Sequence, residues 1–252
     1  MAATGEKQPK YRKIANALRT AIESGQYRAG ERLPGENELM ETYGVARMTA
    51  RQALGLLQTE GLAEARKGSG VFVREFLIRI GRRSIQRLAE DQWGSGRSIW
   101  SADVENRALV VDQVAVTEQG APELIAGVLG MEPGEPTCVR HRRFVLDGKP
   151  VLLSTSYLPA SLVAGTAITR PDTGPGGSYA RLAEIGAKPV HFREEIRSRM
   201  PTQDESERLE LGAGTPVVLV CRTAYAAGGR AVEVNEMVLD AASYVLEYDF
   251  DA

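Results

Sequence analysis

The chain has 252 residues, 43% of them hydrophobic and 25% charged, an ordinary globular composition long enough for one large domain or two smaller ones. It has no apolar run of about 18 residues, which excludes a membrane-spanning helix, and the polar stretch Met1–Lys10 lacks the apolar core of a secretion signal, which points to the cytoplasm. The net charge of −2 is unevenly spread: residues 1–75 hold 12 Lys+Arg against 9 Asp+Glu and the remainder 19 against 24, a basic head on an acidic body that suits a local nucleic-acid-binding face.

Tyr11, Ile14, Ala15, Leu18, Ala21 and Ile22 recur at helical spacing, which predicts a helix over Pro9–Ser24 closed by Gly25. Ala29 to Pro34 reads as a turn and a short extended piece. Glu36 to Tyr43 follows as a second helix, acidic in its first turn, as the helix dipole favours, and ended by Gly44. A third helix is expected over Arg47–Glu60, with Ala50, Ala53, Leu54 and Leu57 as its buried stripe. Two helices joined around a glycine form a helix-turn-helix unit. Arg47, Met48, Thr49, Arg51 and Gln52 stand on the outward side of the third helix. Arg47 and Arg51, four apart, share one face. A major groove admits a helix, and arginine suits both guanine edges and phosphates. Leu62–Arg66 and Val71–Val73 read as strands around the basic, glycine-rich tip Lys67-Gly68-Ser69-Gly70, a wing whose backbone can approach phosphates closely.

Tyr11-Arg-Lys-Ile-Ala, Gly30-Glu-Arg-Leu-Pro-Gly-Glu-Asn-Glu-Leu, Tyr43-Gly-Val-Ala-Arg-Met-Thr-Ala-Arg-Gln-Ala-Leu, Leu57-Gln-Thr-Glu-Gly-Leu and Lys67-Gly-Ser-Gly-Val-Phe-Val occur in order over residues 8–75. Together they resemble the winged helix-turn-helix of the GntR family of bacterial regulators. The resemblance implies DNA contacts from Arg47, Thr49 and Arg51 of the recognition helix, with Met48 beside them, and from Lys67, Gly68 and Ser69 of the wing. The family often has arginine where this chain has Asn37, which can still bond a phosphate or a base.

Residues 76–100 read as a linker and entry segment, with an apolar piece at Leu77–Ile80, a basic cluster of Arg82, Arg83 and Arg87, and a flexible stretch at Gly94–Ser98. An interdomain linker and a loop closing over a ligand fit these residues equally. Beyond them, Val110–Val116 is β-branched and reads as a strand. Ala121–Leu129 follows as a helix. Thr137–Val145 and Val151–Leu158 form a hairpin across Asp147-Gly148. Helices are expected over Tyr179–Ile185 and over Pro201–Leu211, the latter with a Thr202–Glu205 capping box. Strands are expected over Val190–Arg199, Val217–Ala226, Arg230–Leu239 and Tyr244–Tyr248. Hairpins dominate, so the fold class is α+β with a mostly antiparallel sheet. The two cysteines, Cys138 and Cys221, and the two histidines, His141 and His191, form no metal or redox motif, so neither a metal nor another cofactor is expected.

Arg140-His-Arg-Arg-Phe-Val-Leu-Asp-Gly-Lys-Pro, Leu153-Ser-Thr-Ser-Tyr-Leu-Pro, Leu209-Glu-Leu-Gly-Ala-Gly-Thr-Pro-Val, Val220-Cys-Arg-Thr and Gly229-Arg-Ala-Val-Glu-Val resemble the UTRA ligand-sensing domain of the HutC subfamily of GntR regulators, over roughly residues 80–248. The resemblance implies a chorismate-lyase-like fold used for binding, and a homodimer built by these domains. It places Arg142 or Arg143, Ser154 and Glu233 in the effector pocket. Arginine suits a phosphate or carboxylate, and serine and glutamate suit hydroxyls or an amine. Many sensors of phosphorylated sugars have a second arginine two residues after the first, where this chain, counted from Arg142, has Phe144.

The expected organisation is therefore a winged helix-turn-helix at 1–75, a linker at 76–100 and a UTRA-like sensing and dimerisation domain at 101–252. The expected function is a ligand-responsive repressor whose partners are a two-fold symmetric double-stranded DNA operator and a small-molecule effector. Two alternatives stand beside it. In one, the second domain only dimerises. In the other, it is an enzyme, for which the sequence offers no constellation of acid, base and nucleophile.

Overall fold

The computed structural model describes residues 8–75, 80–83, 88–89, 93–94, 99–100, 104 and 107–248. The expected apolar piece at 77–79, Arg87 of the basic cluster and the flexible stretch at 95–98 lie outside the described residues. The chain divides into two compact units, one of residues 1–77 with 212–215 and one of residues 78–211 with 216–252.

The first unit contains α1 (Lys10–Glu23), α2 (Glu36–Tyr43), α3 (Arg47–Thr59) and a hairpin of β1 (Ala63–Arg66) and β2 (Gly70–Val73). The apolar stripes meet as the sequence spacing requires. Ile14, Ala15 and Leu18 of α1 pack with Leu39 of α2 and with Ala50, Ala53, Leu54 and Leu57 of α3 in one core. Gly44 ends α2 in the left-handed conformation at φ 56°, which lets the chain turn sharply into α3. The first strand pairs antiparallel with the second, Ala63 opposite Val73 and Arg66 opposite Gly70. The extended piece before α2 joins the same hairpin: Leu33 N–H donates to Val71 O at 2.8 Å and Val73 N–H to Glu31 O at 2.8 Å.

The second unit is built on a six-stranded sheet formed by β4 (Leu109–Gly120), β5 (Pro136–Leu146), β6 (Lys149–Pro159), β7 (Pro189–Arg199), β8 (Val217–Ala226) and β9 (Ala231–Asp240). The strand order is β4-β5-β6-β9-β8-β7 and every neighbouring pair is antiparallel. Helices α4 (Glu123–Leu129), α5 (Ala160–Val163), α6 (Gly177–Glu184) and α7 (Gln203–Arg208) connect or cover the strands. The Asp147-Gly148 turn has φ of 50° and 83°, the pair of left-handed residues that a tight hairpin turn requires. The expected capping box opens α7, with Thr202 Oγ1 accepting from Glu205 N–H and Glu205 Oε2 accepting from Thr202 N–H.

Two elements depart from the sequence reading. Strand β4 is longer than expected because it passes through a bulge between Asp112 and Ala115, where Gln113 has φ 47°. Within the expected linker, Ile80–Arg83 forms β3, which pairs parallel with β10 (Tyr244–Glu247) as a separate two-stranded sheet. Ile80 and Arg82, two apart on β3, are both buried. A pairing between residues 164 positions apart leaves no local pattern in the sequence.

Leu57 is fully buried in the core of the first unit. Its replacement by alanine removes packing that the surrounding helices can refill only in part, and is expected to cost about 2–5 kcal/mol, read from urea unfolding of the full chain.

Candidate functional site

The first unit presents two arginines from α3, each with 60% of its side chain exposed. Both are tethered by the start of α2. Arg51 Nε donates to Glu36 Oε1 at 2.7 Å and its second guanidinium nitrogen to Glu36 Oε2 at 3.2 Å. Arg47 donates to Asn37 Oδ1 at 3.0 Å and lies 3.8 Å from Glu36 Oε2. The hydrogen bond from Arg51 holds the Glu36 carboxyl below its usual pKa. Glu36 therefore stays ionised and pre-orients both guanidiniums at a helix start, at little entropic cost when they meet a phosphate or a base. Met48 and Asn37 are exposed beside them, and Thr49 is half-buried. Lys67, Gly68 and Ser69 form the exposed tip of the hairpin, with Gly68 at φ 74°. Arg66 lies 4.4 Å from the centre of the Phe72 ring, which stiffens the base of the wing.

The second unit holds a cavity of about 450 Å³ against one face of the large sheet. Its wall follows from strand periodicity. Arg140 and Arg142 project from the same face of β5, Glu233 and Asn235 from β9 and Arg222 from β8, and all five line the cavity. Arg140, Ser156, Asn235, Arg222 and Glu194 stand directly opposite one another on successive strands, so one polar row crosses the sheet. Arg140 is committed to the loop beyond it. Its guanidinium donates to the carbonyls of Ile168, Arg170 and Pro171 and pins the segment that leads into α6. Arg142 donates to Ser156 Oγ at 2.6 Å, and Ser154 Oγ lies 3.4 Å away. Burial pushes the Arg142 guanidinium down to about 10, with Glu233 acting in the opposite sense, so it remains a cation at neutral pH. Trp100 sits between the two remaining cations, its ring centre 5.7 Å from Arg142 and 5.6 Å from Arg222. Glu233 is 2% exposed and its Oε2 accepts no hydrogen bond among the described residues, so a donor on a guest would complete it.

The start of α6 forms the opposite wall. Gly176 caps this helix at φ 77°, and a Cβ there would fall 2.6 Å from the Cβ of Ala180 and from Trp93 O, so only glycine fits. Gly176, Gly177 and Ser178 face the cavity at a helix N-terminus with no side-chain cap, which favours an anion.

The four positions expected in the pocket fall into three places. Arg142 and Glu233 line the cavity. Ser154 lies behind the lining, donating to Asn235 Oδ1 at 2.9 Å. Arg143 points to the other face of β5, as the next residue on a strand must, where it pairs with Asp112 at 2.7 Å and donates to Arg208 O. The sequence reading missed Arg140, Arg222, Asn235, Trp100 and the loop before α6. The two-residue spacing of Arg140 and Arg142 was a usable signal. Counting onward from Arg142 reaches Phe144, whereas counting back reaches a second arginine on the same face. Arg222 lies 80 residues downstream of Arg142, and only the strand order brings it near.

Comparison with known proteins agrees with this architecture. The profile of bacterial regulatory proteins of the gntR family matches residues 10–73, and that of the UTRA domain matches residues 105–244. An HTH-type transcriptional regulator of Streptomyces coelicolor is 30% identical over 97% of this chain and 93% of its own length. The HTH-type transcriptional repressor NagR of Bacillus subtilis is 26% identical over 96% of this chain and 95% of its own. A crystal structure described as a putative GntR-family transcriptional regulator superposes with a TM-score of 0.67 at 28% identity, covering 97% of this chain and 98% of that one. A winged helix-turn-helix joined to an effector-binding UTRA domain places this chain in the HutC subfamily of the GntR family, as a DNA-binding transcriptional regulator and not an enzyme.

Proposed function

We propose that the protein is a cytoplasmic repressor that binds a two-fold symmetric operator as a homodimer and leaves it when an anionic small molecule fills the cavity of the second unit. Arg47, Arg51, Thr49, Met48 and Asn37 read or grip the DNA at α3 and the start of α2, and Lys67, Gly68 and Ser69 follow from the wing. The likeness to NagR, which is named a repressor, supports the direction of control. Residues 1–75 serve DNA binding, 76–100 entry into the sensor, and 101–252 sensing and dimerisation.

The observation that carries the reading is the charge of the cavity. Arg142 and Arg222 stand opposite a helix N-terminus, with Glu233 and Asn235 to one side. Burying charge is costly without a compensating partner. A domain that only dimerised would gain nothing from such a wall, whereas a ligand with an anionic group at the arginines and a hydroxyl or amine at Glu233 satisfies it. Effector binding releases DNA only to the extent that it favours the state with weaker DNA affinity.

Fluorescence anisotropy with the duplex upstream of the protein's own gene, against a shuffled duplex at two salt concentrations, tests the DNA half. Wild type is expected to select the upstream duplex, and the Arg47→Ala, Arg51→Ala double variant to lose that selectivity. Equal binding to both duplexes, together with no site in a genome-wide selection, would refute the regulator reading. Thermal unfolding with a panel of phosphorylated and carboxylated metabolites tests the sensor half. A true effector at 100 times its Kd stabilises by about 2.7 kcal/mol, and the shift is expected to vanish in Arg142→Gln. No shift with any anion would favour a domain that only dimerises.

A further inference from the structure

Glu194 is the last member of the polar row, on the edge strand β7 directly opposite Arg222. One of its carboxylate oxygens serves two buried guanidiniums. Glu194 Oε1 accepts from Arg82 at 2.5 Å and lies 3.8 Å from an Arg222 nitrogen. Arg222 is a wall of the cavity. Arg82 is fully buried on β3, the first described strand after the DNA-binding unit along the chain, and its other nitrogen lies 3.4 Å from Met237 Sδ. No residue other than Glu194 is seen to bridge a cation of the cavity wall to this strand among the described residues.

We propose that Glu194 is the positioning residue that couples the cavity to β3. This rests on reading the cavity as an anion site. In the empty pocket the Glu194 carboxylate divides its attraction between Arg222 and Arg82. An anion at Arg222 competes with Glu194 for the same guanidinium. Once displaced, Glu194 belongs to Arg82 alone, and the tie on β3 tightens. The strand by which the chain enters the sensor is thereby held differently in the occupied and empty states. Glu194 also opposes anion binding by lowering the positive potential at Arg222, so it sets affinity as well as response.

The test uses the full chain and inorganic phosphate as the probe. Isothermal titration at constant ionic strength reads affinity, and hydrogen exchange of the peptide spanning β3 reads the response. Removing the competing carboxylate in Glu194→Gln is expected to tighten phosphate by about fivefold or more, with β3 exchange no longer responding to phosphate. Glu194→Asp, which keeps the charge, is expected to stay within about twofold of wild type. A merely structural glutamate would give the opposite sign, because loosening the wall weakens binding. If Glu194→Gln does not fold, Arg82→Met decides: it hands Glu194 wholly to Arg222, so phosphate binding is expected to weaken, and unchanged affinity overturns the proposal. Phosphate binding that needs Arg222 but is not tightened in Glu194→Gln, or a β3 response that persists in that variant, overturns the coupling alone. Binding that is absent from wild type, or unaffected by Arg222→Gln, overturns the anion pocket and the coupling with it.

Discussion

Arg140, Ser156, Asn235, Arg222 and Glu194 stand side by side on five neighbouring strands and are withdrawn from bulk water. The surroundings of the row answer this constraint. A sheet face that buries guanidiniums has to supply acceptors or counter-charges for them, since an ion left alone in a protein interior is far costlier than an unmade neutral hydrogen bond. Arg140 takes three backbone carbonyls from the segment before α6, Arg142 takes a serine hydroxyl, and Arg82 takes Glu194. The loop, the row and the small parallel pair of β3 and β10 are thus shaped around charge. On the opposite face, Arg143 finds Asp112 at the surface, where a pair of this kind contributes little to stability.

The cavity is what remains where that compensation stops. Glu233 keeps an oxygen without a hydrogen-bond donor among the described residues, and α6 begins at a glycine that caps nothing with a side chain. Both would be defects in a core selected only for stability. In a sensor they are the means by which a guest gains more from the interior than from water. The same economy holds in the first unit on a smaller scale. Glu36 holds Arg51 and Arg47 in place at the surface, a weak ion pair by itself, but one that fixes two long side chains before DNA arrives.

The two units differ in how their contacts are distributed along the chain. In the first, α1, α2, α3 and the hairpin follow one another with short turns, and every core contact is made within about seventy residues. In the second, β6 pairs with β9, and β8 lies between β9 and β7, so the sheet closes over long insertions. Such non-local pairing is what gathers β5, β8 and β9 into one wall.

Local chemistry was accordingly readable from residues alone. The helical spacing from Tyr11 to Ile22, the glycine after Tyr43, the Asp147-Gly148 turn and the Thr202–Glu205 cap each act within a few positions, and each element forms where its own signal lies. The family motifs extended that reading to the fold class and to Arg142 and Glu233 at the pocket. Tertiary structure alone decided the rest. A strand's sequence states that alternate residues share a face, but not which strand lies beside it. The meeting of Arg222 with Arg142, the pairing of β3 with β10, and the placing of Arg143 on the far face all depend on strand order and register, which are set by packing between segments far apart in the chain.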